Sequence, residues 1–385
     1  MAKLKKNVII VLVKFRTEVI HIMSISIVSL LKSAVQKGVS DVHLKINEPP
    51  AIRKDGKIIR TQIPPLTEED FFEILETVVP ASYRNKAFDN YDADFSYDIP
   101  DIARFRINLS RELGKMFMVI RVISIKIPTR EELHLPKSID KFSSLKNGIV
   151  LVTGATGSGK SSTLASMVNH INNTQEKHII TIEDPVEYLF TPMKCIITQR
   201  QIGIDTPSFP DGIKYSLRQD PDVILVGEIR DIETMSAALK ASETGHLVLA
   251  TLHTNDAIQT INRVIGFFEP KDRDYIRKQL AENLRGTISQ RLLPRADKPG
   301  RFPACEILVV TPTVKDFIIK DSLEQIYDLV KRGNFDDMIS LNISLFHLYK
   351  AGIITKETAI QASDNKIEMQ QYIRGVYHGA SFDVI

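Results

Sequence analysis

The chain has 385 residues, 43% of them hydrophobic, which fits a folded protein with room for two or three domains. A formal charge of +3 over that length, with no tryptophan, argues against a dedicated nucleic-acid binder. The only cysteines, Cys195 and Cys305, form no C-x-x-C pair, which argues against a disulfide framework or a four-cysteine zinc site and suits a reducing cytosol.

The apolar run Val8 to Val13 follows Lys3, Lys5 and Lys6, but Lys14, Arg16 and Glu18 cut it short and no small-residue cleavage site follows. No stretch approaches the ~18 apolar residues that span a bilayer. Residues 1–22 therefore read as an extension with little patterning, and Met23 is a candidate start. Ile25 to Gly38 predict an amphipathic helix ended by glycine. Val42 to Ile46 alternate as a strand, and Ala51 to Arg60 predict a hairpin turning at Asp55-Gly56. Thr67, with Asp70 three residues on, opens a helix through Val78. Asp94 to Ile99, Arg104 to Leu109 and Met116 to Ile123 read as strands. Together they make a small α+β domain over 23–127. Arg104 and Arg106 share one strand face. Taken alone, they and Arg121 read as a solvated basic face.

Pro128 and Pro136 stiffen a connecting segment over 128–147, a candidate hinge. From Gly148 strands alternate with helices, which predicts a parallel sheet covered on both faces. The strands are Ile149–Thr153, His178–Ile182, Val223–Val226 and His246–Leu252, and their unbroken apolar character suits burial on both sides. A further apolar strand runs from Cys305 to Val310, and this domain is set at 148–320. The remainder, 321–385, is helical: Asp321 and Glu324 suggest a capping box, and Met338, Leu341, Leu345 and Leu348 mark a helix closed by Gly352.

The chemistry gathers at strand ends. Gly154-Ala155-Thr156-Gly157-Ser158-Gly159-Lys160-Ser161 reads G-x-x-x-x-G-K-S between a strand and a helix that starts at Ser162. Glycines let the backbone wrap a phosphate, loop N–H groups donate to it, and the helix N-terminus favours its charge. Lys160 can reach the β and γ phosphates of ATP, and the Ser161 hydroxyl can ligate Mg²⁺. Thr181 to Glu187 end a strand in Glu183-Asp184 before Pro185, a candidate for positioning water or Mg²⁺. Val223 to Val226 lead into Gly227-Glu228, a Walker B shape with glycine where the metal-linked aspartate usually stands. Glu228 can activate the attacking water, with at most an indirect metal contact. His246 and His253 flank the next strand as phosphate sensors or structural histidines, and their spacing faces them opposite ways.

These blocks, GATGSGKSS, TIEDPVE, VILVGEIRD and ETGHLVLATLHTN, resemble in order and spacing the Walker A, Asp box, atypical Walker B and His box of the secretion ATPases. The likeness runs over nearly the whole chain from Met23 and is greatest to the PilT-type ATPases that retract type IV pili in twitching motility. Ser40 to Leu44 and Arg104-Phe105-Arg106-Ile107-Asn108 resemble that family's PAS-like domain. The resemblance implies a PAS-like domain followed by a RecA-like ATPase domain, assembled as a homohexamer. It implies ATP bound between the two domains with Arg106 and Arg121 completing the site. It also implies peripheral contact with an inner-membrane pilus platform protein on the cytoplasmic side, and a paralogous retraction or extension ATPase as a further partner. The family's AIRNLIRE motif survives only as Thr313 to Lys320, and its QR is replaced around Ser110-Arg111-Glu112. These departures leave a PilU-like accessory retraction ATPase, or another secretion-system ATPase, as the alternative. A nucleic-acid translocase is disfavoured by charge, and a non-hydrolysing ring subunit by the intact Lys160, Ser161 and Glu228.

Overall fold

The structure is a computed structural model that describes residues 26–54, 56–80, 92–100, 102–123, 127–332 and 337–375. The expected extension over 1–22, the candidate start Met23 and Asp55 of the hairpin turn lie outside these residues. The chain divides into two units, Met1–Ile125 and Lys126–Ile385.

The first unit contains α1 (Ile27–Gln36), β1 (Asp41–Lys45), β2 (Ala51–Lys54), β3 (Lys57–Arg60), α2 (Glu68–Val78), β4 (Ala93–Ile99), β5 (Ala103–Glu112) and β6 (Lys115–Ile123). The strands form an antiparallel sheet in the order β3-β2-β1-β6-β5-β4. Ala103, Phe105, Ile107 and Leu109 of β5 point to one face and join Leu31, Phe71, Ile74 and Leu75 of α1 and α2 in the core. Period two then puts Arg104 and Arg106 on the other face. Thr67 caps α2 in the predicted box: its hydroxyl accepts from Asp70 N–H, and the Asp70 carboxylate accepts from Thr67 N–H. Such a cap stabilises a helix by ~1 kcal/mol.

The second unit starts earlier than the sequence suggests. The expected hinge segment carries α3 (Ser138–Ser143), and Leu135, Ile139 and Phe142 are buried against Val150, Val152 and Leu164. Leu135, Ile139 and Phe142 of this segment are therefore part of this unit's core. There follow β7 (Gly148–Thr153), α4 (Lys160–Thr174), β8 (His178–Glu183), β9 (Ile196–Gln201), α5 (Phe209–Ser216), β10 (Val223–Val226), α6 (Ile232–Glu243), β11 (Leu247–Leu252), α7 (Ala257–Gly266), α8 (Arg273–Asn283), β12 (Leu284–Pro294) and β13 (Arg301–Val309). The sheet order is β13-β12-β7-β11-β10-β8-β9, parallel except for β13 at the edge. Every residue of β7, β10 and β11 is buried, as the apolar runs predict. Because these strands run the same way, the segments that follow β7, β8, β10 and β11 gather along one edge of the sheet.

The chain ends in α9 (Pro312–Ile319), α10 (Glu324–Arg332), α11 (Leu341–Lys350), α12 (Lys356–Ala362) and α13 (Lys366–Ile373). Leu341, Leu345, Leu348 and Met369 pack with Leu293 and Ala304 of the sheet. Gly352 ends α11 with φ +71, as expected. The capping box at Asp321 does not form. Asp321 has φ +56, outside the extended conformation of an N-cap, and its carboxylate accepts from Arg277 at 2.7 Å.

Candidate active site

The glycine-rich loop joins β7 to α4 and wraps tightly for a steric reason. Gly154 has φ +140, and a Cβ there would lie 2.4 Å from the Gln290 carbonyl oxygen and 2.6 Å from Ser158 Oγ. No side chain fits. Lys160 opens α4 and is only 9% exposed. Its Nζ donates to the carbonyls of Gly154 at 2.8 Å and Ala155 at 3.1 Å. Burial lowers its pKa, against the opposing charges of Glu228 and Glu187. Ser158 Oγ is buried and has no hydrogen-bond partner among the described residues. The Ser162 hydroxyl pairs with that of Tyr188 at 2.7 Å. Ala155, Thr156 and Gly157 are exposed, while the Ser158 N–H donates to the Ala155 carbonyl at 3.2 Å.

The end of β10 explains the unusual Walker B. Gly227 N–H donates to the Ile182 carbonyl at 2.8 Å, and a Cβ on Gly227 would meet the Glu183 backbone at 3.3 Å. An aspartate at 227 would crowd β8, so the acid falls to the next position. Glu228 Oε1 lies 3.0 Å from His253 Nε2, and Oε2 accepts from Arg230 Nη2 at 2.7 Å. Burial works to raise the Glu228 pKa, but the Arg230 hydrogen bond and the His253, Arg230 and Lys160 charges outweigh it and hold the carboxyl below its usual range. The Thr251 hydroxyl of β11 donates to the Gly227 carbonyl at 2.6 Å, which fixes the turn that carries Glu228. A carboxylate ionised at neutral pH and oriented by Arg230 and His253 can accept a proton from water.

Glu183 ends the neighbouring β8 but is saturated. Oε1 accepts from the Thr181 hydroxyl at 2.7 Å and from Gln199 at 3.4 Å, and Oε2 accepts from Glu187 N–H at 3.3 Å. Burial pushes its pKa up. Its contribution is to position the β8 turn, with little lone-pair capacity left for a metal.

His246 does not belong to this constellation. It precedes β11, at the opposite end of the sheet from the phosphate loop, and its carbonyl accepts from Gly148 at the start of β7. Its Nδ1 meets the Ala241 carbonyl at 2.9 Å and the Thr244 hydroxyl at 3.1 Å, closing the end of α6. Burial of the strand between the two histidines separates their environments. Arg106 and Arg121 stand in the first unit as direct cross-strand partners on β5 and β6. Arg121 Nε donates to Asp41 at 3.0 Å, and Arg106 lies 3.8 Å from Asp94. Two guanidiniums directly opposite repel one another, a cost that an anion on that face would relieve.

Sequence reasoning missed Gln290. It sits on β12, which the pattern did not mark, and is 3% exposed. Its Oε1 accepts from Thr163 of α4 at 2.8 Å, and its backbone oxygen walls Gly154. Its neighbours Thr287, Ser289 and Arg291 are polar too, so the sequence around it carries no signal.

The profile of the type II/IV secretion system protein family matches residues 109–333. The chain belongs to that family. It is 40% identical to the type IV pilus retraction ATPase PilT of Pseudomonas aeruginosa, over 86% of this chain and 96% of the relative. It is 38% identical to the type IV pilus ATPase PilU of the same organism, over 90% of each chain. The solved pilus retraction motor PilT with bound ADP superposes with a TM-score of 0.85 at 42% identity, covering 90% of this chain and 99% of that one. The secretion-family chain described here is thus a PilT/PilU homologue, an ATPase with an N-terminal domain before a RecA-like one. Among the described residues, no helix is long and apolar enough to cross a membrane.

Proposed function

We propose that this type IV pilus ATPase powers pilus retraction, working as a homohexamer against an inner-membrane platform protein from the cytoplasmic side. The observation that carries the catalytic half of this reading is the Glu228 carboxylate, held by His253 and Arg230 at the strand edge that also bears the phosphate loop. The likeness to PilT over most of both chains supports the retraction half.

In this reading Gly154 to Gly159 cradle the phosphates with their N–H groups, together with the N–H groups of Lys160, Ser161 and Ser162 at the start of α4. Lys160 turns its ammonium from the loop carbonyls to the β and γ oxygens. Mg²⁺ suits the donors here, which are oxygens: the Ser161 hydroxyl would hold it directly and Glu228 through water, whereas the Glu183 oxygens are already taken by Thr181, Gln199 and Glu187. Bound there it neutralises phosphate charge. Glu228 orients the attacking water and takes its proton, His253 keeps the carboxylate aimed, and Arg106 and Arg121 supply charge to the γ-phosphoryl oxygens in the transition state. His246 acts in the same account only as a helix-terminal brace.

Deleting the gene and counting surface pili tests the direction of work. Abundant pili without twitching agree with retraction; sparse pili point to an extension motor. Pili that still retract unloaded agree with the PilU-like accessory role. Mixing Arg121→Ala subunits with Glu228→Gln subunits tests the shared site: recovered turnover means that the arginines serve a neighbour's nucleotide.

A further inference from the structure

Glu306 of β13 is a carboxyl group in the interior of the second unit, and the strand register shows what surrounds it. Ser289 of β12 is its direct cross-strand partner, and Ser289 also pairs with Thr153, the last residue of β7 before the phosphate loop. The Thr153 hydroxyl donates to Ser289 Oγ at 3.0 Å. Arg291, two residues on from Ser289, shares that sheet face. Gln290 between them turns to the other face, where it meets Thr163 of α4. One face of the sheet is therefore polar at the level of the phosphate loop, although its neighbours in sequence are not.

Two connections leave this patch. The first reaches the segment that follows His253. Glu306 Oε1 accepts from the N–H of Ala257, the first residue of α7, at 2.7 Å. That N–H is one of the four at a helix start that find no partner within the helix. The other bonds of the segment are local: Asp256 accepts from Gln259 N–H at 2.7 Å, and the Thr254 and Thr260 hydroxyls meet at 2.7 Å. Glu306 comes from another strand, 49 residues away in sequence, and so joins the segment to the sheet. The second connection reaches the end of the chain. Arg291 Nη1 donates to the Ala362 carbonyl at the close of α12 at 2.5 Å, and Nη2 donates to Asp364 at 2.6 Å. Asp256 and Asp364 surround Glu306 with negative charge, and Arg291 offsets it.

We propose that Glu306 is a positioning residue for hydrolysis: it pins the start of α7 so that His253 meets Glu228, and Arg291 with Asp364 ties the C-terminal helices into that support. This rests on the reading of Glu228 and His253 given above. The C-terminal helices then bear on the rate of hydrolysis through the His253 segment, by contacts that lie outside the phosphate loop.

Steady-state hydrolysis by the purified full chain tests this as a double-mutant cycle. Glu306→Ala should lower kcat about tenfold and leave KM for ATP within about twofold, the scale of a lost orienting partner. Glu306→Gln keeps an acceptor oxygen and should recover most of the rate. In a His253→Ala background, Glu306→Ala should change kcat by less than about twofold, because residues that act as one unit are not additive. The same tenfold loss in both backgrounds overturns the proposal, as does a Glu306→Ala rate within twofold of wild type. A glutamine variant as slow as the alanine one overturns it too, since the hydrogen bond would not be what matters. Asp364→Ala, at a half-exposed position, carries the test if Glu306→Ala does not fold. It should lower kcat about threefold in the wild-type background and not in His253→Ala, and an equal factor in both is a refutation. Glu228→Gln keeps the two ideas apart: near-normal hydrolysis there fails the base assignment, whatever Glu306 does.

Discussion

The two ends of β11 carry the same residue type and put it to different uses. His253, past the C-terminal end, meets Glu228 at 3.0 Å beside the phosphate-loop edge. His246, before the N-terminal end, is bound to the Ala241 carbonyl and Thr244 at the close of α6. The strand between them is buried throughout, so neither ring senses what the other touches. Parallel strands send all their following segments to one edge, and chemistry accumulates only there. A histidine at the other edge is left with backbone to satisfy.

The comparison breaks first at Lys160. Lys160→Ala should abolish ATP binding, because the loop loses the charge that meets the β and γ phosphates. Equilibrium binding within a few-fold of wild type would remove the functional edge altogether. Arg121→Ala, and less severely Arg106→Ala, should cut turnover by about 10³ while nucleotide binding persists, the scale of a lost arginine finger. Lysine should rescue poorly, lacking the planar fork. Full turnover in the double variant would leave those arginines as a basic face.

His253→Ala should lower turnover by roughly tenfold, as loss of an orienting partner does. His246→Ala should leave turnover within about twofold and cost about 1 kcal/mol of stability through the lost helix-end bonds. Turnover measured side by side reads this difference directly; equal losses would mean that the two ends of the strand are not functionally distinct. The smallest effect concerns another acid. Glu306 accepts from Ala257 N–H at 2.7 Å, and its neighbours are Asp256, Asp364 and Arg291. Burial pushes its pKa up from 4.5 to about 7. A carboxyl raised on folding contributes stability that is complete below its unfolded pKa and is lost as pH rises through its folded one. Melting temperature should therefore fall between about pH 5 and 8. Glu306→Gln should flatten that fall, and an unchanged slope in the variant would refute the assignment.

Much of this was legible in the residues. The phosphate loop, β10 and Glu228 are local patterns, set by a few consecutive side chains. So was the Thr67–Asp70 cap. What stayed hidden depends on pairing between distant segments. Gln290 matters because β12 lies beside β7, and no feature of its own neighbourhood announces that. The segment around Leu135 and Phe142 has a linker's prolines, yet its apolar residues find partners in α4. His246 was legible as strand-flanking, but which end of the sheet it occupies follows only from strand direction. Asp321 had the right spacing for a cap and the wrong backbone, because Arg277 holds its carboxylate elsewhere.

The central claim is that Glu228, at the phosphate-loop edge, is the group that activates water. Glu228→Gln changes one oxygen to nitrogen and keeps the volume. Purified protein should bind ATP with affinity close to wild type while the hydrolysis rate falls by about 10² or more, the scale for losing a positioned acid–base group. ATP should then persist on the variant in a single-turnover experiment. Hydrolysis within about threefold of wild type, with ATP bound normally, would contradict the account and move the base to another acid.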